Sequence, residues 1–196
     1  MTVAAPTPTR ERLLRAAREL IEGGGYGAAS VVAITARAGL AAGTLYRHFA
    51  PKEELFAELF RSVCDGELLA VQAAAREHRL PPSARLEKVL LTFAERALRR
   101  PRLAWALIAE PVDPLVDAQR LAYRAKYAAL VADALRAAIS NGELPAQNVE
   151  LTAAALVGAC GEALVGPLSP LDPGAPPAQE VLGALQSFVR RAVGAR

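Results

Sequence analysis

Within the stretch Gly39-Leu40-Ala41-Ala42-Gly43-Thr44-Leu45-Tyr46-Arg47-His48-Phe49, the side chains able to do chemistry are hydrogen-bond donors. Thr44 and Tyr46 carry hydroxyls, Arg47 a guanidinium and His48 an imidazole. Three residues past Phe49, Lys52 adds an ammonium. Such groups suit an anion: phosphate contacts fix register on a duplex, and base edges in the major groove carry sequence. The flanking elements must hold them in place. A short helical pattern runs from Ser30 to Ala38, and a charged helix start follows at Pro51-Lys52-Glu53-Glu54. Helix, glycine turn, short helix and aromatic exit make a helix-turn-helix, whose second helix enters the DNA major groove.

The spacing of the glycine turn, Thr-Leu-Tyr, His-Phe and Lys-Glu resembles the TetR family of transcriptional regulators, over roughly residues 9 to 60. The resemblance implies that Ser30, Thr44, Tyr46 and Lys52 contact phosphates or bases, with Arg47 and His48 at the exit of the reading helix. Hydroxyls and a lysine can donate to phosphate, so the physical chemistry agrees. The departures are Ala41, where the family often has a hydroxyl, Ala42, where it often has a long polar side chain, and Ala33, where it is often acidic. Ala41 and Ala42 offer only methyls to the groove. Direct readout by this helix is therefore expected to be sparse, and DNA shape to carry more.

Charge follows the motif. Residues 1–52 hold seven Lys or Arg against three acids, whereas the remainder holds sixteen against seventeen. That asymmetry is the footprint of a phosphate-facing end, although a stripe such as Arg10, Arg12, Arg15 and Arg18 is more often only solvated. With 53% apolar residues, 5% aromatics and short β-branched runs, the composition favours helices.

Periodicity and breakers predict an all-α protein of about nine helices without strands. Thr9 can cap the first helix and Gly23-Gly24-Gly25 stops it. Pro51 suits the first turn of the fourth helix. A long helix from about Pro114 to Asn141, apolar on two faces, should be central and buried. Leu151 to Leu168 comes nearest to a membrane span, but it contains Thr152, Glu162 and Pro167, so a buried helix with no membrane partner is expected. A proline- and glycine-rich loop is expected over Pro167 to Pro177. Residues 1–8, polar and without a secretory pattern, read as a disordered arm of a cytoplasmic protein. Residues 9–52 read as the DNA-binding domain and 53–196 as an effector-binding and dimerisation domain.

In the resembling family this second part dimerises and encloses an effector pocket. The side chains that could line one are Phe60, Phe93, Trp105, Tyr123 and Tyr127, with Glu110 and Arg124 as polar groups. Aromatics at helical spacing are more often plain core. The last two helices, rich in small residues around Gly158, are expected to form the homodimer. The overall expectation is a repressor on double-stranded DNA, released from a pseudo-palindromic operator by a small apolar or amphipathic effector. A helical ligand-binding or adaptor protein with a degenerate DNA head is the alternative. An enzyme would need a nucleophile with a base, a metal cluster or a cofactor loop. Cys64 and Cys160 have no histidine nearby in sequence and lack zinc spacing, so no cofactor or metal is expected and both read as core thiols.

Overall fold

A computed structural model describes residues 8–171 and 174–195. Among them are nine α-helices and no strand. They are α1 (Pro8–Gly24), α2 (Val31–Arg37), α3 (Gly43–His48), α4 (Glu53–Ala75), α5 (Pro82–Arg99), α6 (Pro101–Ile108), α7 (Pro114–Ser140), α8 (Val149–Leu168) and α9 (Ala178–Val193).

Helix ends follow local chemistry. Ser30 Oγ accepts from the Ala33 N–H at 3.1 Å, Asp113 Oδ1 from the Leu115 N–H at 2.8 Å, and Asn148 Oδ1 from the Leu151 N–H at 2.9 Å. Each satisfies an orphan donor of a first helical turn. Four of the described glycines take positive φ, and two of them shape the head. Gly25 ends α1 at φ +75°, and Gly39 makes the turn after α2 at φ +64°, a region costly for a residue with a Cβ.

Several boundaries differ from the sequence reading. α1 starts at Pro8, which is therefore no part of an arm, and Thr9 lies inside its first turn. Residues 1–7 of the expected arm lie outside the described residues. Pro51 precedes α4 rather than sitting in its first turn. α8 continues through Pro167 to Leu168; the missing N–H forfeits one helical hydrogen bond in the last turn, where Leu164 and Leu168 are buried.

The packing divides into two apolar clusters. One joins Leu13, Ile21, Ile34, Leu45, Phe49 and Leu55 to Leu103, Ala106 and Val116, so the head shares its core with α6 and the start of α7. The other is built by α5, the C-terminal half of α7, α8 and α9 around Leu86, Leu135, Leu156 and Val189. α7 packs on α4, α5 and α8 and is central as expected. It is buried only in part: Leu121 is 66% exposed. α8 also departs from expectation. Leu156, Cys160 and Leu164 are buried, but Ala154, Ala155, Gly158 and Ala163 face outward.

Candidate DNA interface and core cavity

The reading element is assembled from the inside. Ile34, Leu45 and Phe49 are fully buried and fix α2 against α3. With those anchors turned in, α3 and the turn before it present Ala41, Ala42, Tyr46 and Arg47 to solvent, and Ser30 is exposed at the start of α2. Tyr46 is 55% exposed, which no core role explains. Thr44 is buried instead, its Oγ1 accepting a hydrogen bond from Arg47 Nη2 at 3.2 Å. His48 is half-buried, and its carbonyl accepts from Arg10 Nη1 at 2.7 Å. Lys52 is half-buried at the entrance of α4 with Nζ 4.9 Å from the Phe56 ring centroid. The structure thus exposes Ser30, Ala41, Ala42, Tyr46 and Arg47 at the start of α2, in the turn after it and on α3, half-buries His48 and Lys52, and turns Thr44 inward. Val32, 70% exposed on α2, is a further apolar side chain there that the sequence reading passed over.

Three of the four arginines of the α1 stripe are engaged, and Arg15 is exposed. Arg10 ion-pairs with Glu58 of α4 and stacks 4.2 Å over the Phe49 ring. Arg12 Nη2 donates to the carbonyl of Ala38 at 2.6 Å, satisfying an orphan acceptor at the end of α2. Arg18 pairs with Glu22 at 3.0 Å. Arg10 and Arg12 brace the head, which leaves Arg47 and Lys52 at the reading end, with the His48 imidazole beside them.

The second feature is a cavity of about 110 Å³ among α4, α5, α6, α7 and α8. Phe60, Phe93, Tyr123 and Tyr127 line it, as expected from sequence, and Arg124 lies on its wall. The rings pack in pairs, Phe60 with Tyr123 at 5.8 Å and Phe93 with Tyr127 at 5.3 Å between centroids. The Tyr123 hydroxyl donates to Asp65 and to the Arg61 carbonyl. Burial, with the Asp65 hydrogen bond, pushes Tyr123 above its ordinary range, and burial does the same to Tyr127. Both hydroxyls therefore stay neutral at physiological pH. Cys64 also lines the cavity; burial pushes its thiol up to about 12, and that of Cys160 up to about 11. Both are buried free thiols, protonated near neutrality.

Two expected pocket residues lie elsewhere. Trp105 is on α6 but packs against the C-terminal core cluster, not the cavity. Glu110 follows α6 and reaches the head: its Oε1 accepts from the Tyr26 N–H at 3.0 Å, and its carboxylate lies over Gly25. Its neighbour Arg120 clasps the end of α6, donating to the carbonyls of Ala106 and Leu107 at 2.8 Å each and to that of Glu110. The sequence reading missed Glu67, Arg96, Arg100 and Arg120 on the cavity wall. A signal was available: Arg120 and Arg124, like Tyr123 and Tyr127, are four residues apart, so they share one side of a helix with the aromatics.

Comparison with known proteins follows the same division. Residues 13–59 match the profile of the bacterial regulatory proteins of the tetR family. A 48-residue segment is 48% identical to the HTH-type transcriptional regulator UidR of Escherichia coli (strain K12), and this match spans 24% of either chain. The chain thus covers about a quarter of the curated relatives it matches. The whole fold is similar to the fatty acid degradation regulator FadR from Bacillus halodurans, with TM-score 0.80, 17% identity and coverage of 98% of this chain and 100% of that one. It is also similar to the transcriptional regulator FadR from Bacillus subtilis in complex with stearoyl-CoA, with TM-score 0.76, 19% identity and coverage of 93% and 97%. Such identities speak for a common fold alone. The head, residues 13–59, thus matches the tetR family of bacterial regulatory proteins in sequence, and the full length is similar to solved regulators in fold.

Proposed function

We propose that the protein is a cytoplasmic, homodimeric, sequence-specific DNA-binding transcriptional regulator. It acts as a repressor, released from a pseudo-palindromic operator by a small apolar or amphipathic effector. Residues 9–52 serve as the reading domain and 53–196 as the effector-binding and dimerisation domain. The observation that carries this reading is the double engagement of α6. Leu103, Ala104, Leu107 and Ile108 on this helix line the cavity, and the residue that closes its C-terminal turn region, Glu110, holds the head at Tyr26. A molecule that changes the position of α6 therefore acts on the same hydrogen bond that docks the head. Full switching needs the effector to prefer one state by about 5.5 kcal/mol.

Support for the homodimer comes from the outward faces of α8 and α9. Ala154, Ala155, Gly158 and Ala163 on α8 lie exposed, as do Ala184 and Phe188 on α9. Small residues allow close helix approach, and a second copy would cover an apolar surface that water otherwise meets. Two heads on the twofold axis would read half-sites about 34–36 Å apart, or a multiple of that. Selection of bound duplexes from a random pool tests the reading. A pseudo-palindromic consensus supports it. Recovery of DNA with no sequence preference overturns it in favour of an adaptor with a degenerate head.

A further inference from the structure

The arginines of the cavity are not equivalent. Arg120 spends its donors on three carbonyls and on Asp117 Oδ1 at 2.7 Å. Arg96 is neutralised by Glu67, the sole acid on the wall among the described residues, through a two-contact ion pair between α5 and α4. The other two are less engaged. The ion pair of Arg100 with Glu22 spans 3.8 Å with a side chain 60% exposed, and Arg124 makes no hydrogen bond or ion pair among the described residues. Both line the cavity, and both are exposed, which puts them at its mouth.

An apolar chamber with two open guanidiniums at its entrance selects by charge. A guanidinium offers a planar fork that matches carboxylate or phosphate oxygens. A cationic ligand would meet like charges, and a neutral one would leave the forks to water. Resting on the reading of the cavity as the effector site, we infer that it takes an amphipathic organic anion. Its carboxylate or phosphate is received by Arg100 and Arg124, and its apolar body lies against Phe60, Phe93, Tyr123 and Tyr127. Glu67 then sets the charge of the site: while it holds Arg96, one cation is withheld from the ligand.

Titration calorimetry of the full chain at neutral pH tests this with four probes on one phenylbutyl body: 4-phenylbutanoate, 4-phenylbutyl phosphate, 4-phenylbutanamide and 4-phenylbutylamine. At least one of the two anions should bind about tenfold tighter than the amide, the scale of one charge-assisted contact, and the amine weakest. The stronger of the two anions tells carboxylate from phosphate. Arg124→Gln and Arg100→Gln should each lower the preference for anions severalfold. Glu67→Gln frees Arg96 and should tighten the anions while leaving the amide unchanged, a gain that misfolding does not mimic. Equal binding of anion and amide, or a Glu67→Gln protein with unaltered anion affinity, overturns the anion assignment and leaves the cavity as an effector site. Failure of all four probes to bind counts against both.

Discussion

Replacement of Glu110 by alanine should loosen the head from the core by a predictable amount. The carboxylate of Glu110 accepts the Tyr26 N–H at 3.0 Å, and Gly25 and Tyr26 are both buried. Removing the acceptor strands a buried donor, at a cost of about 1–3 kcal/mol. In a chain of this size each kcal/mol lowers Tm by roughly 2–4 °C. Glu110→Gln keeps an oxygen for Tyr26 and should lose less than Glu110→Ala. The contact can be isolated by a cycle with Gly25→Ala. A Cβ at Gly25 would lie 2.6 Å from Glu110 Oε1, in a backbone with φ +75°. In the parent it therefore suffers both a clash and left-handed strain, the latter about 1–2 kcal/mol. In the Glu110→Ala background only the strain remains, so the two changes should be less than additive in their cost. Thermal melts of the four proteins give the coupling, and hydrogen exchange at the Tyr26 amide gives the local opening. A Glu110→Ala protein that melts like the parent and protects the Tyr26 amide equally would refute the latch.

Lys52→Ala should weaken binding to every duplex alike and reduce the log–log salt slope by about 1; loss of sequence preference at an unchanged slope would make Lys52 a base reader instead. Phe188 is 40% exposed, so Phe188→Arg should leave the protomer folded yet place an unpaired charge in the proposed α8–α9 contact, at a cost of several kcal/mol. Sedimentation should show monomers; a tight dimer would put the interface elsewhere. Base should destabilise the fold through Cys64. Its thiol ionises at about 12 when folded, against about 8.5 unfolded. Above that unfolded value the unfolded chain binds fewer protons, so stability is complete below it and falls as pH rises toward the folded value. Urea midpoints across this range should fall more steeply in the parent than in Cys64→Ala, and equal slopes would count against the buried thiol.

Helix order was legible because prolines and glycines fall between runs of helical period. Val181, Leu185 and Val189 give α9 its buried stripe from sequence alone. The head was legible because its anchors, Leu45 and Phe49, sit at a spacing that leaves Tyr46 and Arg47 outside. What sequence did not reveal is which side of a helix meets which neighbour. Trp105 and Leu107 are two residues apart on α6, yet they face the C-terminal core and the cavity respectively. Its place in the chain groups Glu110 with the pocket, but its hydrogen bond crosses 84 positions to Tyr26, a separation that periodicity cannot see. Arg120 was invisible for the same reason, since backbone carbonyls at a helix end carry no sequence signature.

The short length of α6 gives the coupling its physical basis. Eight residues bounded by Pro101 and Pro111 cannot draw much stability from their own hydrogen bonds. The position of α6 is therefore set by what touches it: the apolar contacts of Leu103 and Ala106 with the head cluster, the Arg120 clasp, and the cavity. A ligand has influence on the head only in proportion to its different affinities for two placements of this helix. Because the clasp bonds the carbonyls of Ala106, Leu107 and Glu110 together, displacement at Leu107 in the cavity wall is carried into the backbone of Glu110 rather than absorbed by fraying. The same arrangement makes the effect reciprocal: DNA that fixes the head must alter ligand affinity by the factor with which ligand alters DNA affinity. Titrating one cavity probe with and without selected operator duplex measures that factor directly. In the Glu110→Ala protein it should collapse toward one while each separate affinity persists.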